Sequence, residues 1–136
     1  MRDELKSPKV ENVAVAVVED QGEDDEAVYN VYLLNLKEEI MEGIIVTSRG
    51  YGQNVLTGEQ VKTSTLRHTI EVLLPNEAAK IEPITEEVLG LSNEYWVSFW
   101  VEEQLYDKKF VFLPETIQPQ KLKTIPLLGA KGIMIK

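Results

Sequence analysis

The sequence has no cysteine and a single histidine, His68. The first absence excludes a disulfide framework, a cysteine-ligated zinc site and a thiol nucleophile. The second means that any imidazole chemistry must pass through one residue. Aromatic side chains make up only 7% of the chain. No apolar run approaches the ~18 residues that cross a bilayer as a helix. Basic residues are fewer than acidic ones, 14 against 23, for a net charge of −9. A phosphate backbone prefers a basic surface, so nucleic acid is a disfavoured partner, and an anionic membrane is disfavoured for the same reason. What is present is a chain of 136 residues that is 43% hydrophobic. That is enough for one core in one domain and too rich for wholesale disorder.

The acidity is local. Residues 19–26 read Glu-Asp-Gln-Gly-Glu-Asp-Asp-Glu, six acids in eight positions, and the other residues carry 14 bases against 17 acids, a net of −3. Residues 117–136 hold Lys121, Lys123, Lys131 and Lys136 and no acid. At the start, Asp3 and Glu4 stand where a secretion leader carries positive charge. Ala14-Val15-Ala16 matches a small-x-small cleavage pattern, but no hydrophobic region precedes it. The expectation is a cytoplasmic chain.

The patterning is that of strands. Val13, Val15 and Val17 alternate with Ala14, Ala16 and Val18, which predicts a strand over 10–18. Residues 27–36 form a stronger one with two largely apolar faces, as expected of a central strand covered on both sides. The acidic run then joins these two strands as a hairpin loop. A third strand is predicted over 43–48, with Gly50, Gly52, Asn54 and Gly58 punctuating the loop after it. Another starts near Gln60. Residues 64–74 fit both helical and strand spacing, and Ile70, Val72 and the threonines favour a strand. After a turn at 74–77, a strand runs over 78–84. A short helical turn at 85–89 is capped by Thr85 and ended by Gly90.

Residues 94–113 read as the clearest hairpin, with Asp107-Lys108 at its tip. An even-numbered loop there sets Leu105 opposite Phe110 and Glu103 opposite Phe112. Val97, Phe99, Val101, Leu105, Phe110 and Phe112 then share the core face, and Trp96, Trp100, Val111 and Leu113 share the other. A loop one residue longer or shorter swaps part of this assignment. Pro114, Pro119 and Pro126 make 114–126 extended and draped over the surface. Residues 125–135 hold a last strand. Seven to nine short strands in one domain predict an all-β fold, an antiparallel, immunoglobulin-like β-sandwich with at most one short helix; a small β-barrel is the alternative. Residues 1–8 and 115–136 are expected to be partly extended tails.

Four features could carry function. The acidic run could bind calcium, but it lacks the alternating ligands and the fixed Gly and Glu of an EF-hand loop, so a solvated loop and no metal are expected. His68 would be the base of any Ser-His-acid site, with Ser48, Ser64, Ser92 and Ser98 available and Arg67 and Glu71 beside it. None of these serines stands in a G-x-S-x-G elbow, and a structural or surface histidine is expected. Arg49-Gly50-Tyr51-Gly52 is an incomplete phosphate-loop pattern, since position 55 is Val; the glycines read as loop geometry, with Arg49 and Tyr51 as ligand contacts. Trp96 and Trp100 fall on one face of a strand. Burial under a second layer is the expectation for large aromatics; exposed, they would form a platform for a sugar, a peptide or a partner protein.

Several stretches together carry a resemblance: Tyr29-Asn30-Val31-Tyr32-Leu33-Leu34-Asn35, residues 62–68, Lys80-Ile81-Glu82-Pro83-Ile84, Leu91-Ser92-Asn93-Glu94-Tyr95-Trp96 and Tyr106-Asp107-Lys108-Lys109. Through most of residues 28–114 the chain resembles a family of small bacterial proteins of unknown function. Some members of that family carry the label phenylalanyl-tRNA synthetase β-subunit. The resemblance brings no catalytic residue with it. Synthetase activity is not expected of a single acidic domain without an ATP-binding constellation. The reading is a non-enzymatic binding or protein-interaction module without cofactor. Its contacts would be Arg49, Tyr51, Arg67, His68, Trp96 and Trp100, and its partner a protein or small ligand. The alternatives are a small hydrolase or transferase using His68, and a structural protein that self-associates through sheet edges as a homodimer.

Overall fold

The computed structural model describes residues 8–21, 27–53 and 56–136. Ten strands follow one another: β1 (Val13–Gln21), β2 (Ala27–Asn35), β3 (Met41–Gln53), β4 (Gln60–Lys62), β5 (Leu66–Leu73), β6 (Glu77–Ile84), β7 (Ser92–Val101), β8 (Gln104–Phe112), β9 (Lys123–Thr124) and β10 (Lys131–Ile135). They form two antiparallel sheets that face each other and do not close into a barrel. Sheet A has the order β6-β2-β1-β10-β9. Sheet B has the order β4-β3-β7-β8, with β5 also pairing β3. Apart from the short β4, which pairs the end of β3, the first eight strands thus divide as 6-2-1 against 5-3-7-8. This is the immunoglobulin-like division, with the strand after the third carried on the second sheet. No helix among the described residues is long and apolar enough to cross a membrane.

Alternation explains the core. Val13, Val15 and Val17 of β1 and Val31 and Leu33 of β2 point inward from sheet A. Ile44, Val46, Tyr95, Val97, Phe99, Phe110 and Phe112 meet them from sheet B. β1 and β2 are buried on their other face as well, as their two-sided apolar pattern predicts. Ala14, Ala16, Val18 and Leu34 lie there under the buried Ile125, with Leu128 and Ala130 beside it. The segment expected to drape over the surface therefore anchors through Ile117 and Ile125, both buried. It breaks into a 3-10 turn at Pro119–Lys121 before β9 and β10 join sheet A. β10 lies so close to β1 that a Cβ on Gly132 would overlap the carbonyl oxygen of Val17. Asn35 is buried with its amide satisfied: Nδ2 donates to the carbonyls of Glu39 and Leu73, and Oδ1 accepts from the Lys37 N–H.

Three sequence expectations need correction. β3 runs on to Gln53, so Gly50 and Gly52 lie inside a strand and not in a loop. Neither has positive φ. They are needed for close approach: a Cβ on Gly50 would sit 3.0 Å from the Thr63 methyl, and one on Gly52 2.9 Å from Leu91. Thr85 precedes the 3-10 turn Glu86–Gly90 but makes no side-chain cap. The hairpin turns at Glu102-Glu103, with Val101 opposite Gln104, and Asp107 and Lys108 are mid-strand, opposite Ser98 and Val97. Leu105 is therefore opposite Trp100 and exposed, not in the core. Glu102 takes φ +56°, a conformation that costs about 1–2 kcal/mol outside glycine. The register it permits stacks Phe99 on Tyr106 at 5.4 Å and sets Tyr95 edge-on to Phe112 at 6.1 Å, and aromatic packing of that kind offsets the strain.

Candidate functional site

Among the described residues, sheet B keeps large side chains exposed on its outer face. Register places Arg49 and Tyr51 of β3, Arg67 of β5, and Trp96 and Trp100 of β7 on it. The structure thus brings together five of the six residues singled out from the sequence. His68 lies on the opposite side of the sheet. Both tryptophans are exposed, at 46% and 42%, so the expected burial under a second layer does not occur. One cross-strand row reads Arg67–Thr47–Trp96–Lys109, and the next reads Thr69–Ile45–Ser98–Asp107.

The indoles are fixed in place. The Trp96 Nε1–H donates to Asp107 Oδ2 at 3.0 Å, and Lys109 Nζ lies 5.0 Å from the ring centroid. Trp100 packs over Gly43, whose bare Cα leaves room for the indole edge; Gly43 also takes φ +53°, at the bulge where β3 shifts register against β7. Leu105 flanks Trp100 across the strand pair. At the other end, Glu94 is buried and accepts from Arg49 Nε at 2.9 Å, with Lys109 Nζ 3.7 Å away. The Arg49 guanidinium lies over the Tyr51 ring at 5.5 Å. Arg49 and Lys109 thus share the Glu94 carboxylate while lying over the Tyr51 and Trp96 rings.

A second cluster sits at the seam between the sheets. β6 carries a bulge against β2, between the pairs Val31–Glu82 and Tyr32–Lys80. The extra residue, Ile81, allows two successive side chains to turn inward, and this aims Glu82 across the seam at sheet B. Glu82 Oε1 accepts from Ser48 Oγ at 2.7 Å and lies 2.8 Å from His68 Nε2; Oε2 accepts from the Tyr95 hydroxyl at 3.3 Å. Burial, and then the neighbouring Glu82 carboxylate, raise the Tyr95 pKa far above its ordinary value. The cluster borders a cavity of about 240 Å³ whose apolar wall includes Leu66, Ile84 and Val88. In a Ser-His-acid relay the imidazole stands between hydroxyl and carboxylate. Here the carboxylate stands between Ser48 and His68, so the histidine faces an acid and not a nucleophile.

Glu82, Tyr95, Glu94, Asp107 and Lys109 were not picked out from the sequence. The last three follow from the β7–β8 register, which the Asp107-Lys108 turn signal misplaces. Glu82 follows from a bulge that no residue pattern announces. In the acidic run, Glu19 accepts from the Tyr29 hydroxyl and Asp20 accepts from Asn30 Nδ2 at 2.6 Å. Gly22 to Glu26, the rest of the run expected to be a solvated loop without metal, lie outside the described residues, as does Asn54. Among the described residues no three acidic or imidazole groups gather as a metal site. No family model, curated protein or solved structure matches this chain.

Proposed function

We propose that the protein is a non-enzymatic binding module that takes a partner protein or small ligand on the outer face of sheet B. The observation that carries this reading is the exposed pair Trp96 and Trp100, each braced by its neighbours on a rigid strand. Aromatic and arginine side chains supply most of the binding energy where such surfaces are used, and bracing lowers the entropy lost on binding. A cytoplasmic location belongs to the same reading.

The test is comparative capture from extract of the native cell. Wild-type bait is run beside a Trp96→Ala/Trp100→Ala bait and a Leu127→Ala bait, whose change lies at an exposed residue in the segment after β9. The expected result is a bound species kept by the wild type and Leu127→Ala and lost by the double variant. Identical capture by all three would overturn the proposal.

A further inference from the structure

The edge of sheet A next to β10 combines three features that occur together nowhere else among the described residues. First, it is an incomplete edge. β9 pairs only Lys131 and Gly132 of β10, and no described strand pairs the outer side of Ile133–Ile135. Second, a groove of about 610 Å³ runs beside it. Its apolar part is Ile125, Ile133 and Met134, and Gln120, Lys121, Lys123 and Thr124 complete the wall without an acid. Third, this is the basic region of an acidic chain: residues 117–136 hold four lysines and no acid against a net charge of −9.

We propose that this edge receives an extended acidic segment of a partner protein, which adds to sheet A as a strand beside β10. Strand addition needs a fixed template with free backbone groups. β10 is such a template, pairing β1 from Val18–Gly132 to Val15–Ile135 and seated by the close contact of Gly132 with Val17. Ile133 and Ile135 belong to the layer between the sheets, and Met134 to the outer cluster over β1. Alternate apolar residues of an incoming strand would extend these two layers, and its flanking carboxylates would reach Lys121 and Lys123. Edge lysines commonly prevent copies of one chain from pairing edge to edge. Here the same charge selects an acidic strand against a basic or identical one.

The test uses the full chain, isotopically labelled, and two ten-residue peptides that alternate valine with glutamate or valine with lysine. The glutamate peptide is expected to shift the amides of Lys131–Ile135 saturably and to bind more weakly as salt rises. A proline at its centre should weaken it at least about tenfold by removing a ladder donor. The Lys121→Glu/Lys123→Glu variant changes two exposed side chains. It should lose the glutamate peptide and take the lysine peptide. Equal shifts from both peptides, or none from the glutamate peptide at these amides, would overturn the proposal. So would shifts produced only by vesicles of phosphatidylglycerol and phosphatidylcholine.

Discussion

The two outer faces of the sandwich are built to opposite plans. On sheet A the middle of the outer face of β1 and β2 is lined by the small or aliphatic Ala14, Ala16, Val18 and Leu34, with Tyr32 packed beside them. The chain comes back over them between β9 and β10 and seats Ile125 in the gap. On sheet B the outward residues include Trp96 and Trp100, both exposed, with the Arg49–Glu94–Lys109 charges beside Trp96. A face meant to be covered by the chain's own backbone needs small side chains so that the layers approach. A face carrying two indoles, one with a bound N–H and a nearby cation and the other packed on a glycine, keeps both braced yet exposed.

The comparison breaks most visibly in stability. Ile125→Ala should cost about 2–4 kcal/mol, because it deletes a buried side chain packed on Ala14, Ala16 and Leu34. Trp100→Ala, although it deletes a larger side chain, should cost about 1 kcal/mol or less, since much of the indole is already in water. Urea unfolding of the two variants beside the wild type measures both. Similar losses would mean that the faces are not different in kind.

The seam belongs to neither face, and its contribution can be separated by pH. Tyr95 is held neutral, chiefly by burial and then by Glu82. An unfolded tyrosine ionises near pH 10. Below about that pH both states keep the proton and this contribution to stability is complete. Above it the unfolded chain releases the proton while the native one retains it, so stability falls as pH rises. The urea midpoint should drop between about pH 9 and pH 11, and Tyr95→Phe should flatten that drop. Tyr29 and Tyr32, also raised mainly by burial, account for part of the residual slope. Glu82→Ala, which removes the acceptor of Ser48 and Tyr95, should cost about 1–3 kcal/mol.

The smallest effect tests the register that places Leu105 on the bare face. Glu102→Gly relieves a left-handed residue and should raise stability by up to about 1 kcal/mol. A loss of stability would speak against a turn at Glu102-Glu103.

Most of the architecture is legible because valine and alanine alternate at period two and the sheets are covered on predictable sides. β1, β2, β5 and β6 fall within a few residues of where their patterns place them. The misplaced hairpin has a clear cause. Glu102-Glu103 lacks the composition of a turn, and Asp107-Lys108 has it. Register is decided by what packs, here Phe99 against Tyr106 and Tyr95 against Phe112, and those contacts lie in tertiary space. The site is legible to the same extent. Trp96 and Trp100 follow from alternation along a single strand, whereas Arg49 and Tyr51 read as loop contacts and stand instead on β3. Asp107 and Lys109 need the partner strand's register, and Glu82 needs the bulge.

The two tryptophans are the only ones in the chain, so their emission reports directly on the sheet-B face. The most direct measurement is acrylamide quenching of tryptophan fluorescence in the free protein over a range of protein concentrations. The account predicts red-shifted emission, ready quenching of both indoles and no dependence on concentration. Blue-shifted emission that resists quenching would contradict it, because the face would then already be covered.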